Sequence, residues 1–189
     1  MARMKQKKGY LLLAAFILAF NGACVNTTAI KRDLLKLKGR PVALPVELMV
    51  EVNRDSLNRY PDLEARELKL IHYISASECS ICEIETFRFW EILLDSLRRN
   101  DIKPVIIIDP GLRYSVNQIK HSIKESYYSY PVYIDTGGFF YTTNPHIPEN
   151  NIMHTFLVDK GNNVVIAGNP ILNPNILELL ETYKTDDNR

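Results

Sequence analysis

Cys79-Ser80-Ile81-Cys82 places two thiols three residues apart. On a helix that spacing is about one turn, so the two sulfurs can share a bond or a ligand. Three chemistries use such a pair: thiol–disulfide exchange, half of a tetrahedral zinc site, or a permanent structural bridge. Zinc needs a second ligand pair. The remaining candidates are His72, His121, His146 and His154, which are scattered and show no H-x-x-x-H spacing. Exchange needs a thiolate, which unpaired backbone N–H groups and the dipole at a helix N-terminus stabilise.

The flanking residues supply such a junction. Leu68–Ile74 is a β-branched and aromatic run that stops at Ser75-Ala76-Ser77, the pattern of a buried strand entering a loop. After the cysteines, Ile81, Ile84, Phe87, Trp90, Leu94 and Leu97 recur at spacings of three and four. That predicts one helix of about five turns with Trp90 in the core, ending at Asn100. Val105–Ile108, between Pro104 and Asp109-Pro110-Gly111, reads as a central strand. Ser115 to Tyr128 reads as a helix with Val116, Ile119 and Ile123 inward. Pro131–Asp135, Ile152–Val158 and Asn163–Ala167 read as strands, the last two joined as a hairpin by Asp159-Lys160-Gly161-Asn162. Asn173 caps a final helix with Pro174 at its first position and Ile176, Leu177, Leu180 and Tyr183 along it. Ahead of this series, residues 39–52 suggest one or two short edge strands and 53–67 a charged loop.

A strand, a C-x-x-C opening a helix, a further βα unit, then a β-hairpin and a closing helix resemble the thioredoxin superfamily. The closer resemblance is to its membrane-tethered TlpA/ResA-like redoxin-domain lipoproteins. It rests on Tyr73–Cys82, Tyr130–Asp135 and Thr155–Val165, and spans residues 68–184. It implies an α/β fold with a central mixed sheet flanked by helices, with Cys79 as attacking and Cys82 as resolving thiol, and no cofactor or metal. Two departures are visible. Glu78 stands where thioredoxins commonly carry an aromatic residue, and with Glu83 and Glu85 it opposes a thiolate at Cys79, which implies a less acidic thiol and a reducing dithiol. Met153 or His154 stands where the family has a cis-proline, which implies a trans peptide and an altered groove. Glu78, Met153 and His154 are therefore candidate substrate-groove residues. His154 could shuttle protons or, with Met153, join a soft copper(I) site, although copper carriers of this fold usually show C-x-x-x-C. Phe139-Phe140-Tyr141, expected as a loop after Gly137-Gly138, would border the groove. The threonine- and proline-rich context of a peroxidatic cysteine is missing.

The first 23 residues place Arg3, Lys5, Lys7 and Lys8 before the apolar run Leu11–Phe20, which reads as a secretory leader. The run is too short to span a bilayer. Asn21-Gly22-Ala23-Cys24 resembles a bacterial lipobox, with Asn21 replacing the usual aliphatic residue. Acylation of Cys24 would remove the odd one of three cysteines and leave Cys79 and Cys82 as a pair. The expected organisation is a leader at 1–23, a tether at 24–38, an extension at 39–67, the main domain at 68–184 and a polar tail at 185–189. The formal net charge is +1, and four of the 23 basic residues but none of the 22 acidic ones lie in the leader. The remainder is mildly acidic, which gives no footing for nucleic acid. The expectation is a thiol–disulfide oxidoreductase, lipid-anchored in the periplasm or outer membrane, acting on envelope proteins with thiols or disulfides. The alternative is a non-catalytic thioredoxin-fold lipoprotein whose disulfide is structural and which serves as a binding module.

Overall fold

Leu68–Ile74 forms strand β2, and all seven of its residues are buried, as an apolar run without polar alternation requires. Even Lys69 is 1% exposed, its Nζ donating to Asn162 Oδ1 at 2.9 Å. The computed structural model describes residues 27–52, 68–97 and 102–183. The leader, Cys24, the loop at 53–67, Asn100 and the tail at 185–189 lie outside the described residues.

The chain divides into two units, Met1–Leu35 and Lys36–Arg189. Helix α1 is Thr27–Leu37, where a polar tether was expected to precede the amphipathic stretch. Ile30, Leu34 and Leu37 recur at helical spacing and carry the helix back to Thr27.

In the larger unit, β1 (Val50–Val52), β2, β3 (Ile102–Ile108), β4 (Val132–Ile134), β5 (Thr155–Val158) and β6 (Val164–Ala167) form one sheet in the order β1-β4-β3-β2-β5-β6. Strands β2, β3 and β4 are parallel, while β1, β5 and β6 pair antiparallel at the two sides. The mixed α/β sheet flanked by helices is the architecture expected. Helices α2 (Ser80–Ile84) and α3 (Phe87–Ser96) connect β2 to β3, α4 (Val116–Glu125) connects β3 to β4, and α5 (Phe139–Thr143) follows β4. Helix α6 (Pro174–Thr182) closes the chain with the expected Asn173 cap, whose side chain accepts from Asn175 N. Ile84, Phe87 and Trp90 from the helices after β2 join Ile119, Ile123, Ile106 and Leu157 in one core.

Four local structures differ from the sequence expectation. The long helix after the cysteines is two helices, because the Thr86 hydroxyl donates to Glu83 O at 2.7 Å and Thr86 N makes a tight bond to the same carbonyl. Such side-chain bonds compete with the helical ladder. In α3, Leu93 joins Phe87 and Trp90 as a buried residue, while Leu94 is only partly buried. Strand β3 starts at Ile102 and contains Pro104, which pairs with Leu70 of β2 and precedes the register with β4 that begins at Ile106. Residues 151–153 are a 3-10 turn rather than the start of β5, fixed by Asn150, whose Oδ1 accepts from Ile152 N.

The fourth is α5, which replaces the aromatic loop. Its orphan N–H groups are met by the fully buried carboxylate of Asp135 at the end of β4, which accepts from Gly137, Phe139 and Phe140 N at 3.3, 2.9 and 2.8 Å. Gly138 enters the helix at φ +63°, a conformation that suits glycine. At its far end Asn144, 1% exposed, holds Ala43 through both backbone groups, at 2.8 and 2.9 Å. Together these bonds make residues 39–52 a strap between Val164 of β6 and β1 at the opposite sheet edge.

Asp135→Ala strips an acceptor from three N–H groups and is expected to cost about 2–4 kcal/mol of unfolding free energy in urea titration. Asp135→Asn, which keeps one acceptor oxygen, should cost clearly less; equal losses would show that the cap is not what Asp135 supplies.

Candidate functional site

The carboxyl ends of the parallel pair β2 and β3 lie side by side, with Ile74 opposite Ile108, so the loops that follow them meet. Ligand sites in open α/β sheets gather at such strand ends. Gly111 makes the meeting close. At φ +54°, a Cβ there would stand 3.0 Å from the Ala76 Cβ. Arg113 Nη1 also donates to Ser77 O at 3.4 Å.

Cys79 ends the first of these loops and is the N-cap of α2. It is bonded to Cys82, with Cα atoms 5.3 Å apart. Its Sγ accepts from Cys82 N at 3.3 Å and lies 3.6 Å from the Tyr114 hydroxyl. Cys79 is half-buried, whereas Cys82 is exposed. The helix it caps has only five residues before the break, so stabilisation of a sulfur anion comes from two specific donors more than from an extended dipole.

The three carboxylates expected to oppose a thiolate go separate ways. Glu85 is exposed and lines a cavity of about 500 Å³ with Ile81, Arg88 and His121. Glu83 turns toward His72 Nε2 at 4.0 Å; burial and the nearby Glu78 raise its carboxyl. Glu78 turns back into the protein. Its Oε2 accepts from Ser75 N at 2.8 Å, Ser75 Oγ at 2.8 Å and His154 Nδ1 at 3.2 Å. Burial resists ionisation of Glu78, but hydrogen bonds from His154 and Ser75 outweigh it and hold the carboxyl down at about 2.

His154 is 2% exposed and follows the 3-10 turn. Its Nε2 faces Pro148 O at 2.9 Å. A carbonyl only accepts, so Nε2 donates to it; Glu78 Oε2 already accepts from Ser75 N and Oγ, and Nδ1 meets it as a third donor. The result is a buried imidazolium–carboxylate pair joining the loop before the dithiol to the turn before β5. The peptide bonds here are trans. Met153, the other groove candidate, is 4% exposed and points into the core instead.

His154 also lines a cavity of about 510 Å³ whose wall includes Tyr73, Ser77, Asp109, Tyr141 and Glu149. Tyr141 stacks on Tyr73 at 6.5 Å, so the expected aromatic border is present, with Phe140 buried beneath it. Burial raises the Asp109 carboxyl, against the Gly111 N–H that it accepts at 2.9 Å and the neighbouring Tyr73 hydroxyl. Among the described residues no group of three or more His, Cys, Asp or Glu side chains is placed to hold a metal ion.

His72 faces the opposite side of β2. Its Nδ1 is 2.9 Å from Thr155 Oγ1, and its ring packs on Trp90 at 4.7 Å. Burial, against the pull of Glu78, lowers it to about 4, so it is a neutral core ring. Tyr114 and Asp109 were not singled out from sequence. The signal that could have found them is their place after a parallel strand adjacent to the one that delivers the cysteines.

These values fix an acid response. His72 takes its proton more readily unfolded, so its stabilising contribution, about 3 kcal/mol, is lost as pH falls from 6.5 to about 4. Glu78 is depressed in the fold, so its contribution is lost as pH falls from 4.5 to about 2. Urea titrations across pH should show His72→Gln flattening the upper window and Glu78→Gln the lower one; slopes unchanged in both variants would refute the assignment.

No protein-family model and no curated protein matches the sequence. Among solved structures, the thioredoxin domain of a thiol-disulfide oxidoreductase from Bacteroides vulgatus aligns over 76% of this chain and 97% of its own, with TM-score 0.51 and 11% identity. A cysteine mutant of PrxQ from Xylella fastidiosa aligns over 76% and 92%, with TM-score 0.50 and 14% identity. At such identities the likeness is one of fold. A β-α-β-α-β order followed by a hairpin and a closing helix, with the cysteine pair where β2 meets α2, makes this chain a member of the thioredoxin-like fold.

Proposed function

We propose that the protein is a thiol–disulfide oxidoreductase of the bacterial envelope, anchored by a lipid on Cys24 and exchanging electrons with envelope proteins through Cys79 and Cys82. The observation that carries the redox part is the place of the disulfide. It sits at the strand ends with Cys82 exposed and Cys79 half-buried, rather than stapling the core. A partner's sulfur has a route to it.

In the reduced protein the Cys79 thiolate attacks one sulfur of a partner disulfide. A mixed disulfide forms and the partner's other sulfur leaves as thiolate, to be protonated by solvent. The Cys82 thiolate then attacks Cys79 Sγ, closing the internal disulfide and releasing the second partner thiol. Two electrons pass from the dithiol to the partner. A dithiol protein running the same steps in reverse restores the reduced form. Cys79 is assigned the attack because its sulfur is the one that meets both Cys82 N–H and the Tyr114 hydroxyl, donors that favour an anion. The anchor rests on the basic and apolar leader and on Gly22-Ala23-Cys24.

In cells carrying Cys82→Ser, Cys79 should hold partners as mixed disulfides that resolve on reducing gels, while Cys79→Ser should hold several-fold fewer. Absence of adducts in both variants during oxidising growth would favour a structural disulfide in a binding module. For the anchor, a fatty-acid label should enter the full chain and disappear in Cys24→Ser; an unlabelled wild-type chain in a lipoprotein-processing host would defeat it.

A further inference from the structure

We propose that Glu78 and His154 act as a charge-compensating pair that sets the acidity of the Cys79 thiol, with His154 as its positioning cation. The proposal deepens the exchange function above and rests on that reading for its purpose.

Glu78 directly precedes the attacking cysteine, and its side chain is 14% exposed, so water does little to screen it. Alone, a carboxylate there would oppose formation of a second anion at Cys79. It is not alone. The imidazole of His154 is clamped between Glu78 Oε2 and the Pro148 carbonyl, an arrangement that requires a hydrogen on each ring nitrogen. The pair therefore sums to no charge, where the sequence shows a lone acid next to the attacking cysteine. The clamp also fixes direction, since Ser75 N and Oγ pull the same carboxylate oxygen toward the loop before the cysteine.

Other ionisable groups surround the pair. They are Glu83 on α2, His72 and Tyr73 on β2, Asp109 after β3, Tyr141 on α5, and Glu149 before the 3-10 turn, while Tyr114 meets the Cys79 sulfur itself. None of them is substituted in the variants of residues 78 and 154, and comparing the two single variants with the double variant isolates the contribution of the pair.

The test uses the reduced full-length chain and the pH dependence of Cys79 alkylation by iodoacetamide, followed by mass spectrometry of the Cys79 peptide. In that reaction the thiolate displaces iodide and forms a thioether. His154→Gln uncovers the carboxylate; the alkylation midpoint should rise by about one pH unit and the rate at pH 7 fall about tenfold. Glu78→Gln removes the anion and should leave the rate equal or higher. The double variant should return to within about twofold of wild type. A merely structural role would move all three variants in the same direction. The proposal is overturned if His154→Gln leaves the profile unchanged, if the double variant is as slow as His154→Gln, or if Glu78→Gln is slower than wild type. Thermal unfolding shows which variants are folded, and should His154→Gln not fold, the other two still decide. If no partner is trapped by Cys82→Ser while this pattern holds, the exchange reading falls and the pair stands; trapped partners with unmoved Cys79 acidity sink the pair alone.

Discussion

Strand β2 is hydrogen-bonded to β3 along its whole length on one edge and to β5 on the other, and each reactive group owes its place to where β2 ends. The parallel register with β3 brings the loop carrying Tyr114 against the loop carrying Cys79. The antiparallel register with β5 brings His154, just ahead of that strand, against Glu78. Residues 35 and 76 positions apart in sequence thus converge on the same few ångströms. A slip of one residue in either pairing would exchange the faces that His72 and Tyr73 present and dissolve the site.

The site is built largely from acids, yet little of their charge is free to act on the sulfur. Glu78 is matched by His154, Glu83 faces a neutral ring, and Asp109 is raised by burial and accepts from Gly111 N. With α2 cut short at five residues, a thiolate at Cys79 depends on close donors, namely one backbone N–H and one phenol. Such contacts are set by loop geometry, and the close approach of Gly111 to Ala76 holds the two loops together just ahead of the cysteine pair.

What the sequence made legible is what short-range pattern encodes. The apolar runs gave β2, β3 and β4, the Asp159–Asn162 turn gave the last hairpin, Asn173-Pro174 gave the start of α6, and the cysteine pair was placed at its strand–helix junction. The break at Thr86 was hidden because the apolar spacing stays in phase across it, from Ile84 to Phe87. Helix α5 was hidden because the carboxylate that caps it, Asp135, sits just past the preceding strand, and Gly137-Gly138 reads locally as loop. Glu78 was seen as a lone charge because its partner is supplied only by the sheet. Met153 and His154 are neighbours in sequence but face different environments, one the core and the other the cavity wall, as the 3-10 turn dictates.

Asn144 fastens Ala43 across 101 residues, and Asn162 and Val164 bond the strap at Gly39, Arg40 and Val42. A chain made and delivered from its N-terminus presents the strap long before those partners exist. Residues 39–52 must therefore wait, unpaired, until nearly all of the domain has emerged. The backbone that leads into the fold from its N-terminal side is the last to be fastened, so assembly finishes where the strap begins.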